Sequence, residues 1–196
     1  AGDNTDAYIF GAQAGVKFAA IGGETVLGAN FYACDSCQDE SPLYANNANG
    51  NTTYQVGGVN FLKYGYEILD LGAQVGTRVF DVPLTLTGGY AVNLADDVEY
   101  DTAWALGAYV GKAGDPRTWE AGITWQSIDK DALFGQIVDS DFGNGLTDTE
   151  GWVFRGGYAP VRNVLFNATY FLNTLNKDVG TELDFTRLQL DVNFRF

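Results

Sequence analysis

Two cysteines, a cluster of acids and a set of charged residues at alternating positions are the parts of this sequence that could do chemistry. Cys34-Asp35-Ser36-Cys37 is a C-x-x-C pair, a spacing open to redox, metal or disulfide chemistry. The chain has no second C-x-x-C and no His, so zinc is disfavoured in this chain alone. A thioredoxin-like role needs a βαβ context that the sequence lacks. Outside the cytosol a Cys34–Cys37 disulfide is the favoured reading.

Asp139, Asp141 and Glu150 stand at the first, third and twelfth positions of a calcium-loop spacing, with Asp148 between them. Gly143 falls where a ligand is expected, and Asn144 falls where the spacing wants Gly. No helical pattern flanks the segment. The preferred reading is that Gly and Asp supply turn geometry here, so no cofactor is expected and calcium is the weaker alternative. The sequons Asn51-Thr52-Thr53 and Asn167-Ala168-Thr169 are discounted as glycosylation sites.

Without His the chain has no Ser-His-Asp or Cys-His catalysis, no His-ligated metal and no haem-attachment motif. No isolated carboxylate pair offers acid-only catalysis, so no enzyme and no catalytic residue are expected. With 25 Asp+Glu against 11 Lys+Arg the net charge is −14, the wrong sign for a nucleic-acid binder. The chain also lacks Met, and no signal peptide remains at its start, so it reads as processed or as a fragment.

The remaining candidates are Lys17, Asp70, Arg78, Glu120, Arg155, Arg187, Asp191 and Arg195. Each falls on the polar side of an alternating run. In the run ending at Phe196, Leu188, Leu190, Val192, Phe194 and Phe196 share one face, and Arg187, Gln189, Asp191, Asn193 and Arg195 share the other. Similar runs cover 162–173, 151–159, 118–128, 101–112, 84–94 and 66–79, with weaker ones at 25–33 and 7–19. They are about 9 to 14 residues long, the reach of a tilted membrane strand. Large apolar side chains occupy one face, while Arg, Asp, Glu, Gln and Gly occupy the other. Mean hydropathy near zero is what two opposite faces average to.

These elements predict an all-β fold, an antiparallel transmembrane β-barrel with about nine spanning strands in this chain. A soluble β-sandwich is the competing architecture. Aromatic residues near the run ends suit interfacial girdles. Connections alternate between short (21–23, 80–83, 113–116, 160–161) and long (34–64, 95–99, 129–149, 176–183), as periplasmic turns and extracellular loops do. The segment 55–62 breaks this parity if it spans, so it is read as loop with local β structure. The loop at 129–149 is expected to lie outside or to fold into the lumen. Closed single-chain barrels have even strand numbers, so nine implies strands missing upstream, a miscounted strand, or another polypeptide completing the wall.

The stretches YEILDLGAQVG (66–76), DVPLTLTGGYAVN (81–93), DSDFGNGLTDTEGWVFRGGYA (139–159) and FTRLQLDVNFRF (185–196) resemble the bacterial outer-membrane family of putative porins. The resemblance covers about residues 60–196 and fades toward the N-terminus. It implies that 1–196 is a single barrel domain, the C-terminal part of a larger barrel of about 16 strands. It also implies a general diffusion channel in the bacterial outer membrane, passing small hydrophilic solutes or ions. Partners are then the lipid bilayer and lipopolysaccharide, the barrel assembly machinery that reads a terminal Phe such as Phe196, and a homotrimer or a barrel-completing chain. The eight charged residues become pore-lining candidates, and the acids of the long loops, Asp35, Asp129, Asp131, Asp148 and Asp178 among them, read as an acidic vestibule above the wall; the simpler alternative is ordinary solvated pairing. The alternative function is a structural barrel that anchors or sheathes a partner protein.

Overall fold

The computed structural model describes residues 8–44 and 46–196, and of Asp35 the backbone alone. Ala7, where the first alternating run was expected to begin, lies outside the described residues. Eleven strands form in chain order: β1 (Tyr8–Ala20), β2 (Gly23–Asp35), β3 (Thr53–Val56), β4 (Val59–Leu62), β5 (Tyr66–Val79), β6 (Val82–Asn93), β7 (Thr102–Gly111), β8 (Thr118–Ile128), β9 (Thr149–Ala159), β10 (Val164–Leu175) and β11 (Leu183–Phe194). The only helical pieces among the described residues are 3-10 turns at Gly135–Ile137 and Phe142–Gly145.

Nine strands make one antiparallel sheet in the order β1-β2-β5-β6-β7-β8-β9-β10-β11, each paired with its neighbour in the meander. The segment 53–62 forms the separate hairpin β3-β4, in agreement with its reading as loop with local β structure. The sheet is open: β1 and β11 are its two edges and are not paired with each other.

Short and long connections fall at opposite ends, because the strands alternate in direction. At the short-turn end, Ala20 pairs with Gly23 and Val79 with Val82, which leaves two-residue turns. Their central residues, Ile21 and Gly22 at φ 53° and 76° and Phe80 and Asp81 at φ 49° and 63°, are all left-handed. That geometry matches the right-handed twist of the flanking strands.

Register then fixes the faces. One row crosses the whole sheet through Lys17, Val26, Gln74, Thr87, Gly107, Thr124, Val153, Phe171 and Arg187. Side chains in one such row share a face. The opposite face carries exposed apolar residues, among them Leu106 and Phe194 at 61% and Leu190 at 72% exposure. The buried core lies on the row's own face, at the long-loop end. There Ile68, Ala91, Ala103, Ile128, Val153 and Phe171 of the strands pack under Leu62, Phe134 and Phe142 of the loops. The sequence reading took this face as uniformly wet, and the structure corrects it. Its upper part is apolar, since the long loops fold over it and need a dry surface to bury their aromatic residues.

Candidate functional site

The charged candidates assemble on the face that the loops partly cover. Lys17, Asp70, Arg78, Glu120, Arg155, Arg187 and Asp191 all fall on it by register. Arg195 lies just past β11, where its N–H bonds the Asn163 carbonyl at 3.0 Å.

Most of these groups have partners. Lys17 pairs with Glu24 at 2.6 Å, both side chains more than half exposed, so the pair adds little stability. Asp70 accepts the Asn30 amide at 2.7 Å. Arg78 donates to the Asp81 carbonyl at the short turn. Glu120 accepts the Ala113 N–H at 3.1 Å. Arg155 donates to the Tyr109 hydroxyl at 3.0 Å, and Tyr109 in turn meets the Thr124 hydroxyl at 2.8 Å. Tyr109 lies flat against the sheet because Gly122 stands opposite it, where an added Cβ would come within 2.2 Å of the ring. Arg187 donates to Asp141 at 2.9 Å and to Asn144 at 3.0 Å, so it holds the tip of the 129–148 loop against β11. Asp191 is exposed, opposite Asn167 across the strand pair.

The loops are fixed from beneath. Asn51 is 5% exposed, donates to the Lys130 and Leu133 carbonyls, both at 2.9 Å, and accepts the Gly135 N–H at 2.7 Å. Asp131, fully buried, accepts the Thr52 N–H at 2.8 Å and its hydroxyl at 2.5 Å, and the Tyr66 hydroxyl at 3.3 Å. Burial pushes the Asp131 carboxyl up, against the downward pull of the Thr52 hydrogen bonds and the Lys130 charge. Asn93 donates to the Asp131 carbonyl at 2.9 Å and accepts the Glu67 N–H at 3.0 Å. At the outer rim Lys177 reaches Asp129 at 2.5 Å and Asp178 at 2.6 Å. Burial lowers the Lys177 pKa, but these two carboxylates outweigh it, and the net shift is upward.

The acidic vestibule read from the loops therefore needs correction at several positions. Asp131 and Asp148 are buried anchors, Asp129 and Asp178 neutralise Lys177, and Asp35 ends β2. Nor do the calcium candidates converge. Asp139 accepts the Asp141 N–H, Asp141 pairs with Arg187, Asp148 faces Lys130 at 3.6 Å, and Glu150 sits beside Ser127 on the apolar-face parity. Among the described residues no group of three His, Cys, Asp or Glu is gathered to hold a metal. Cys34 and Cys37 are joined by a disulfide, with Cα atoms 5.5 Å apart, at the root of the 36–65 loop.

Three participants escaped the sequence reading. Glu24 stands one residue before the weak run at 25–33, outside any alternating pattern read from the sequence. Tyr109 falls on the polar side of the 101–112 run, and only its cross-strand Gly122 reveals its posture. Asn51 was weighed solely as a sequon.

Residues 39–196 match the family model described as putative porin, from the loop before β3 to the end of β11. No curated protein and no solved structure matches the chain. The match takes in seven of the eight charged candidates, six of them on strands, and the loops that fold over them: the chain belongs to the putative porin family.

Proposed function

We infer that this chain forms the wall of an outer-membrane β-barrel pore through which small hydrophilic solutes or ions diffuse passively. The observation that carries the reading is the contrast between the two faces of one sheet. Large apolar side chains stand exposed along one face of all nine sheet strands, far beyond the scattered apolar residues of a soluble surface. Hydrocarbon is the solvent that suits them.

Aromatic residues on that face gather toward both ends of the strands, with Phe154 and Tyr170 between them. Trp125 and Trp152 meet edge-on at 4.8 Å toward the long-loop end, and Trp119, Tyr158 and Phe166 are cross-strand partners toward the short turns. Six residues separate Trp152 from Tyr158, about 20 Å along a strand at ~3.3 Å per residue. That spacing suits girdles bounding an apolar band. Charged residues line the other face, as the wall of a water-filled lumen requires. The unpaired edges of β1 and β11 would leave backbone groups unsatisfied in lipid, so in the membrane they meet further strands. The bilayer and lipopolysaccharide are then the partners of the apolar face, and the reading assigns no bond-making chemistry.

The test is solute flux. Liposomes holding the purified protein should swell in small sugars and amino acids at rates that fall with solute size. Absence of swelling and of conductance in planar bilayers would overturn the reading.

A further inference from the structure

Asp70 sits half-buried on the polar face of β5, and among the described residues no Lys or Arg comes within ion-pair range of it. On the same face Lys17 is answered by Glu24 and Arg187 by Asp141, whereas Glu120 and Arg155, like Asp70, meet only neutral partners. Asp70 has the neutral Asn30 amide, which satisfies a lone pair and leaves the charge standing.

Tyr32 and Asp70 together separate two hollows. One, of about 210 Å³, opens between them and Gln126, floored by Ala103 and Ala105 and roofed by Leu133 of the folded loop. The second, of about 340 Å³, lies on the β1 side, where Gln13 and Asn30 join them. Small residues of the floor keep the first hollow open beside the carboxylate.

We propose that Asp70 and Tyr32, with the Asn30 amide holding the carboxylate in place from the neighbouring hollow, form a subsite for the ammonium or guanidinium head of a small organic cation, passed along the wall of the pore. The proposal rests on the pore reading above and adds a solute class to it. The carboxylate sets the sign of the guest. A hard metal ion such as calcium wants six or more oxygen ligands, and this hollow offers the polar groups of Asp70, Tyr32 and Gln126 among mostly apolar walls. The apolar lining and the Tyr32 ring suit instead a cation that carries its own methyl or planar surface. Its size agrees: about 210 Å³ is the share of about seven waters at ~30 Å³ each. That admits the head of tetramethylammonium or guanidinium. The net charge of −14 concentrates such cations near the protein.

Tetramethylammonium is the probe, with the full chain in planar bilayers under KCl. It should reduce the single-channel current saturably, and Asp70→Asn should raise the half-blocking concentration about tenfold, the effect of losing one close charge. Ala105→Leu, which fills the floor and leaves the carboxylate, should weaken block likewise. A current that tetramethylammonium leaves unchanged, or block that is the same in both variants as in the unaltered protein, overturns the subsite and leaves the pore standing. If the unaltered protein does not conduct, the pore reading falls, and calorimetric titration of tetramethylammonium into the micelle-held protein judges the subsite alone. Binding that Asp70→Asn weakens about tenfold upholds it, and no binding overturns it.

Discussion

The Asn51 side chain accepts the Gly135 N–H at 2.7 Å, joining two loops 84 residues apart in sequence. The same amide donates to two carbonyls of the 129–148 loop, so one buried side chain satisfies three backbone groups that water cannot reach. Asn51→Ala leaves all three unpaired, and each costs roughly 1–3 kcal/mol when stranded. The expected result is loosening of the loop with the sheet intact. Hydrogen exchange should show lost protection at Gly135 and its neighbours while β8 and β9 amides stay protected. Equal loss across the sheet would show that Asn51 supports the whole fold instead.

Asp131 and Lys177 predict opposite pH responses at the two layers of the loop lid. Asp131 has its folded pKa raised by burial, so it favours the closed loop most below its unfolded pKa, and this support is lost as pH rises through the folded value. Lys177 also has a raised folded pKa. Its support is complete at neutral pH and is lost only as pH climbs past 10.5 through the folded value. Limited proteolysis of the 129–148 loop should therefore slow on going from pH 7 toward pH 4 and accelerate in strong alkali. Asp131→Asn, which can keep accepting from Thr52 and Tyr66, should flatten the acid limb alone. Lys177→Met should flatten the alkaline limb alone.

The parts of this design differed in how plainly the sequence stated them. Strand identity and face were legible because the period of two is local: Leu188 to Phe196 spells its own geometry. The hairpin at 53–62 was legible by parity, since a tenth spanning strand would have put a long loop at the wrong end. The loop lid was not legible, because its partners are joined across distance. Val153 and Phe171 interrupt the polar face in a way that reads as noise until Phe134 and Phe142 are seen to cover them. Asp131 and Asp148 looked like solvated loop acids, since nothing in a sequence distinguishes a buried Asp from an exposed one when its partners, Thr52 and Asp178, are tens of residues away.

Gly122 and Tyr109 form a matched pair whose disruption should be visible in function. An added methyl at Gly122 would stand 2.2 Å from the Tyr109 ring and must push it off the wall. Gly122→Ala should break the Tyr109–Arg155 hydrogen bond and move the ring toward the lumen, at a cost of about 1–3 kcal/mol for overpacking. Tyr109→Phe removes the hydroxyl and keeps the ring seated. Single-channel conductance should fall for Gly122→Ala and change little for Tyr109→Phe. Equal conductance in both would mean that Tyr109 lies outside the path of the ions.

Leu190 offers the sharpest test of which solvent the apolar face meets. It is 72% exposed in the middle of β11, and its neighbour Gln189 points to the opposite face. If water bathed both faces, Leu190→Arg would shift stability by no more than about 0.5 kcal/mol, as ordinary surface substitutions do. In a bilayer the same change near the midplane costs about 2–4 kcal/mol. Gln189→Arg places an equal charge one residue away on the polar face and should cost little in either setting. Reversible folding into lipid vesicles under denaturant measures all three proteins in one assay. A large penalty for Leu190→Arg beside a small one for Gln189→Arg assigns the apolar face to lipid. Small penalties for both would return that face to water, and the pore reading would then lose the observation on which it stands.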